Sequence, residues 1–170
     1  MNAFNPPATA VGKAQPQLST VETRQFITFT LGAEEYGVDI MMVREIKGWT
    51  ETTPLPKAPP YVRGVINLRG VIVPIVDLRA RFGMGATVPT PMHVVIIVKT
   101  DTRTSGLLVD AVSDIVSVEP DAVRAVPDMG MAIEDQYLEG LVALEDRMVT
   151  LVALNRLLAL DGDGITPRVD

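Results

Sequence analysis

Few residues in this chain have the types and spacing that catalysis requires. His93 is the one histidine, it opens an apolar run, and no cysteine or acidic cluster beside it completes a metal site or a catalytic pair. It reads as a strand-end packing residue. Asp110 and Asp114 stand four apart, a spacing that suits a general acid/base pair on a helix, but the segment between them reads as strand and turn. Both are expected as solvated loop acids. No phosphate-binding glycine loop is present, and Gly83-Met84-Gly85 is too short to cradle a phosphate. The expectation is a protein with no catalytic residues, no metal and no cofactor.

What remains are residues that could make contact with another protein. Arg69 stands at the tip of an expected hairpin, where it is either a solvated charge or a projecting cation that docks on an acidic partner. Glu45 has the same two readings. Trp49, the one tryptophan, either packs under the proline-laden loop that follows it or stands as an exposed anchor. Asp77 is first a helix cap. Met41, Met42, Met129 and Met131 are either core filler or adaptable contact surface.

These residues must be held by short strands. Phe26 to Leu31 reads as a strand, broken at Gly32-Ala33 before Glu35 to Asp39; Arg44 to Gly48 reads as another. Pro54, Pro56, Pro59 and Pro60 then keep the chain out of a sheet interior. Val65 to Leu68 and Val71 to Val76 form a hairpin around Arg69-Gly70, with Gly70 supplying a positive φ. Asp77 caps one helical turn, Leu78 to Phe82, which Gly83 ends. His93 to Val98 suits a strand covered on both faces, Leu107 to Val109 and Asp114 to Val118 continue the pattern, and Leu154 to Leu160 closes it as a helix.

The chain also repeats itself. Gly64 to Phe82 is echoed seventy-six positions later by Gly140 to Leu158: Gly64, Leu68, Val73, Val76 and Leu78 recur as Gly140, Leu144, Val149, Val152 and Leu154. Apolar positions keep their character, whereas Asn67, Arg69, Gly70 and Asp77 face Ala143, Glu145, Asp146 and Ala153. In the second copy the turn falls at Glu145-Asp146, where Asp146 tolerates a left-handed backbone. A second echo, in the same order, matches Gly37–Ile46 to Gly106–Ile115. Around ten short strands in two similar sets imply two small barrels with a common core code and different surfaces.

Composition bounds the function. Of 170 residues 47% are apolar but only 5% aromatic, so the core is built from Val, Ile, Leu and Met. The absence of cysteine excludes a disulfide scaffold. A net charge of −6 without a basic stripe disfavours nucleic acid. No apolar run has the roughly 18 residues of a spanning helix and no signal pattern begins the chain, so cytoplasmic residence and a monomer are expected. Residues 1–24 and 161–170 read as flexible tails.

Phe29-Thr30-Leu31-Gly32, Glu35-Tyr36-Gly37-Val38-Asp39-Ile40, Val43-Arg44-Glu45-Ile46, Arg63-Gly64-Val65-Ile66-Asn67-Leu68-Arg69-Gly70, Val73-Pro74-Ile75-Val76-Asp77-Leu78-Arg79 and Val109-Asp110-Ala111-Val112-Ser113-Asp114 together form a pattern. Over residues 24–160 it resembles the CheW family of bacterial chemotaxis coupling proteins. The resemblance implies a CheW-like fold, all-β with short helices, in which two SH3-like five-stranded β-barrels intertwine across residues 25–160, roughly 25–90 and 91–160. It implies a non-enzymatic adaptor that couples methyl-accepting chemoreceptors to the regulatory domain of the histidine kinase CheA, in the cytoplasm, recruited to receptor arrays without inserting in the membrane. No receiver or kinase domain is expected, which argues against the CheV and CheA members that share this module. By the family's pattern Val43, Glu45, Gly64 and Arg69 fall on a kinase-binding face, and Val38, Ile40, Ile96 and Val98 are expected to line a receptor-binding groove between the barrels. The competing expectation is a small-ligand module or minor enzyme that uses the inter-barrel cleft.

Overall fold

The described strands are short, and most of them end at a glycine or a charged residue. The computed structural model describes residues 22–127 and 137–159. Within them lie β1 (Arg24–Leu31), β2 (Glu34–Asp39), β3 (Val43–Gly48), β4 (Val62–Leu68), β5 (Val71–Asp77), α1 (Leu78–Arg81), β6 (Val94–Lys99), β7 (Thr104–Val109), β8 (Ala111–Val118), β9 (Leu138–Ala143), β10 (Met148–Val152) and α2 (Leu154–Ala159). The strands form two five-stranded sheets. Sheet I has the order β8-β1-β2-β10-β9 and sheet II the order β3-β6-β7-β5-β4.

The two sheets match position by position, and the repeat in the sequence is the reason. β4, β5 and α1 correspond to β9, β10 and α2, whereas β7 and β3 correspond to β2 and β8. The registers agree to the residue: Ile75 lies beside Gly106 in sheet II and Leu151 beside Gly37 in sheet I, both in parallel ladders. Even the bulges recur. Arg44 is the extra residue of β3 and Ser113 that of β8, at equivalent places.

The sequence halves are not the sheets, however. A division near residue 90 follows the repeat, but the hairpin β1–β2 of the first half completes sheet I, and β6–β7 of the second half completes sheet II. The crossings are short: a 3-10 turn at Ile40–Met42 leads from β2 to β3, and Asp110 alone separates β7 from β8. Each repeat therefore gives its first hairpin to the other's sheet.

This exchange explains the burial. One face of each sheet wraps a small core of its own, Ile66, Val73, Ile75, Val95, Ile97 and Leu108 in sheet II and Phe26, Val118, Val142, Val149 and Leu151 in sheet I. The opposite faces share a larger core to which β1, β2, β4–β7, β9, β10 and both helices contribute. Residues 95 to 98 are buried without a break because alternate side chains enter different cores: Val95 and Ile97 the small one, Ile96 and Val98 the shared one. Trp49 packs against sheet II's own core, beneath the Arg63 guanidinium.

Flanking segments repeat the pattern. Thr53 exchanges two 2.8 Å backbone hydrogen bonds with Val65, and Arg124 two of the same length with Leu141. The N–H groups of Asp77 and Ala153 donate to the carbonyls of Tyr61 and Tyr137, an equivalent tyrosine pair. The Arg81 guanidinium sits between these rings, 4.6 Å and 4.2 Å from their centroids, and ties the two sheets at α1.

Some expectations are corrected. Arg24 is not in a tail: it opens β1 and pairs with Asp39 at 2.9 Å and with Glu139. The rest of the N-terminal tail up to residue 21, the tail 161–170, Leu160, Met129 and Met131 lie outside the described residues. Asp146 does not adopt a left-handed backbone. The β9–β10 ladder ends at Ala143 opposite Met148, so four residues close this hairpin and a positive φ is not required.

Candidate docking face

The β4–β5 turn is tighter. Leu68 pairs directly with Val71, leaving Arg69 and Gly70 as the whole loop, with φ values of 52° and 87°. Two left-handed residues in a two-residue loop make a type I′ turn, whose twist matches that of the strands. Gly70 adopts this backbone freely, but Arg69 carries a Cβ there at a cost of about 1 kcal/mol. The Asn67 side chain holds the turn by accepting the Gly70 N–H at 2.8 Å.

This turn projects Arg69 to the edge of sheet II, where it donates to Glu45 of β3 at 2.5 Å. The pair connects the two ends of the curled sheet, since β3 and β4 are its outermost strands. The hydrogen bond from Arg69 holds the Glu45 carboxyl below the usual carboxylate range, and Glu45 raises the guanidinium in turn. Arg69 is 72% exposed. Ile46, Val71 and Ile72, next to these two in the chain, are exposed apolar residues. Sheet I repeats the device: Asp114, equivalent to Glu45, faces Arg147 at the β9–β10 turn at 3.7 Å.

The expected contact residues fare unequally. Glu45 and Arg69 share one surface, and Val43 precedes them on β3, half-buried against the shared core. Gly64 is buried, so it has no side to present; it lies where the Thr53 backbone crosses β4. Val38, Ile96 and Val98 are fully buried members of the shared core, and Ile40 packs on it half-buried. The expected groove is filled, because the faces of both sheets that look inward are apolar and close on each other.

Asp110 also departs from expectation. It is not a solvated loop acid: Arg79 donates to it from Nε at 3.1 Å and from a terminal nitrogen at 2.9 Å, and the Gly32 N–H donates at 2.8 Å. His93 completes the cluster. Its Nδ1 accepts the Thr90 N–H at 3.0 Å, and Nε2 faces Asp110 at 3.6 Å. The crossing from β7 to β8 is thus clamped to the β1–β2 turn. Arg79, then the Gly32 N–H, hold the Asp110 carboxyl below its ordinary value of 3.8. A carboxyl that titrates lower when folded stabilises fully above about pH 4 and loses that contribution as pH falls through the folded value. Asp110→Asn is expected to cost about 1 kcal/mol at pH 7, discounted for partial exposure. Thermal unfolding from neutral pH down to pH 3 should show the gap to wild type closing on acidification; a gap that stays constant would mean the charge is not its cause. Asp114, by contrast, is well exposed.

Among the described residues no three His, Asp or Glu side chains gather as metal ligands, and no helix is long and apolar enough to cross a membrane.

The family model of the CheW-like domain matches residues 25–161. The chain belongs to the CheW family. It is 50% identical over 132 residues to a protein of Rhizobium meliloti named "Chemotaxis protein CheW", covering 78% of this chain and 85% of that one. A protein of the same name from Klebsiella aerogenes is 42% identical over 136 residues, covering 80% and 82%. Among solved structures, the scaffolding protein TtCheW from Thermoanaerobacter tengcongensis superposes with a TM-score of 0.76 at 30% identity, over 85% of this chain and 98% of that one. In this CheW-family chain the positions brought together in space are Glu45 and Arg69. What the sequence reading missed is the basic surround of that pair, Arg44 and Lys99. Arg44 owes its position to a bulge that no local residue signals, and the Tyr61/Tyr137 pair needed only three more residues of the repeat alignment.

Proposed function

We propose that this protein is a non-catalytic adaptor of bacterial chemotaxis, which couples methyl-accepting chemoreceptors to the histidine kinase CheA at cytoplasmic receptor arrays. The observation that carries the reading is the Glu45–Arg69 pair: an exposed arginine kept on a strained backbone, with exposed Val71 in the same cleft and exposed Ile46 and Ile72 near it in the chain. Strain kept at a surface turn is a mark of function, because an asparagine or glycine would relieve it. The relatives' names and the scaffold role of the solved neighbour point the same way. In this reading Glu45 and Arg69 contact the kinase regulatory domain, Val43 backs them, and Gly64 acts from beneath by keeping β4 in place. The receptor tip meets an outer surface, since Val38, Ile96 and Val98 have none to offer.

Arg69→Glu is the direct test. It sets two carboxylates against each other at an exposed, solvent-screened site, so stability should change little. Kinase binding should fall about tenfold or more, as expected when an anchoring arginine is reversed. Co-sedimentation with receptor-bearing membranes and kinase, alongside thermal unfolding, separates the two effects. Undiminished assembly and kinase activation by the folded variant would remove Arg69 from the interface.

A further inference from the structure

We propose that the open end of sheet II is a basic socket that seats an acidic segment of the kinase regulatory domain bearing an apolar side chain. The inference rests on the coupling reading and specifies the partner's chemistry. Beside the Glu45–Arg69 pair a cleft of about 360 Å³ leads toward the sheet's own core. Leu68, Val73 and Ile97 form its apolar floor, and Arg44, Arg69 and Lys99 its rim. That volume lies at the small end of the range for ligand pockets and is enough for one or two side chains of a partner.

Charge decides what those side chains belong to. Glu45, the one acid of the lining, is already engaged by Arg69. Arg44 and Lys99 are exposed and have no carboxylate partner among the described residues; Arg44 reaches only the Met41 carbonyl, at 3.4 Å. Arg44 is the bulged residue of β3, and a bulge re-aims its side chain away from the ladder. The socket is thus positive in a chain whose net charge is −6.

The repeat supplies an internal control. Sheet I exposes Ile115 and Met148 where sheet II exposes Ile46 and Ile72, but has Arg147 where sheet II has Val71. Its basic rim is absent: neutral Ser113 and Thr30 and acidic Glu145 stand where sheet II has Arg44, Lys99 and Arg69, and the neighbouring cleft carries Glu34 and Glu35 with Arg147 as its cation. Partly shared apolar contacts with a different charge pattern let one fold offer two edges that a partner surface can tell apart.

The test measures binding of the full chain to the cognate kinase regulatory domain at about 50 and 300 mM NaCl, a range over which exposed charges become largely screened. Arg44→Glu and Lys99→Glu are compared with Lys57→Glu, the same charge change on the proline-rich loop, with circular dichroism to verify folding. Wild-type affinity should fall with salt, each socket reversal should weaken binding about tenfold at low salt and less at high salt, and Lys57→Glu should bind as wild type. If the folded reversals bind as tightly as wild type, the socket is wrong while the coupling reading stands. If wild type itself does not bind the regulatory domain, both fall. Salt-sensitive self-association in sedimentation, abolished by the reversals while kinase binding persists, would assign the socket to the acidic edge of a second copy and overturn the kinase segment.

Discussion

Gly64→Ala is expected to leave little folded protein. A Cβ at this position would stand 2.3 Å from the Thr53 carbonyl oxygen, and the backbone φ of 137° is one that residues with a Cβ rarely adopt. Thr53 cannot move aside, because it is held to Val65 by two 2.8 Å hydrogen bonds. Relief would mean losing that bridge, so the cost should be about 4 kcal/mol or more, a fall of roughly 10 °C or more in Tm for a chain of this size. Gly70→Ala makes the contrast: its φ of 87° is also left-handed, but nothing lies within 4 Å, and about 1 kcal/mol is expected. Thermal unfolding of the two variants decides the matter. Equal and small losses would mean that β4 and the crossing segment yield easily. The result bears on function too, since loss of partner binding in a Gly64 variant would report a damaged fold beneath the docking face, not a lost contact.

Asp77→Ala should cost about 3 kcal/mol. This carboxylate is 1% exposed, accepts hydrogen bonds from the Thr87 N–H at 2.8 Å, the Thr87 hydroxyl at 2.6 Å and the Ala80 N–H at 3.4 Å, and forms an ion pair with Arg63 at 3.5 Å. It caps α1 and pins the segment that follows that helix to the end of β5. Truncation strands buried donors and leaves the half-buried Arg63 guanidinium without its carboxylate, although it keeps the Thr87 carbonyl, and this costs more than the bonds themselves contribute. Asp77→Asn keeps the shape and one acceptor oxygen, so it should lose about half as much. Urea unfolding at neutral pH measures both; an alanine variant within 1 kcal/mol of wild type would mean that water replaces the carboxylate.

These two positions show what kind of information a sequence carries. Asp77 is legible as a helix cap because the N–H it accepts, that of Ala80, lies within one turn, and the strands are legible because their apolar runs are short; Gly64 reads only as a repeated, kinase-facing position, because the Thr53 backbone that demands a glycine there crosses from a separate segment. The repeat was legible for the same reason: Val73/Val149 and Leu78/Leu154 must stay apolar in both copies, since equivalent cores close over them. Asp110 was misread because its partners, Arg79, His93 and Gly32, come from three separate segments. Val38, Ile96 and Val98 were misplaced because an apolar residue on a strand looks the same whether it faces a groove or a second sheet.

By itself, then, the sequence determined the strand inventory, the duplication, the capping of α1 and the family, all of which depend on residues near one another or on residue-by-residue likeness. Only the tertiary structure decided that each half gives its first hairpin to the other's sheet, that the space between the sheets is filled, and that Arg44, Arg69 and Lys99 meet around one opening. Those outcomes depend on which apolar faces bury each other and on where a bulge points a side chain. Both are settled by packing between segments dozens of residues apart, where local patterns carry no signal.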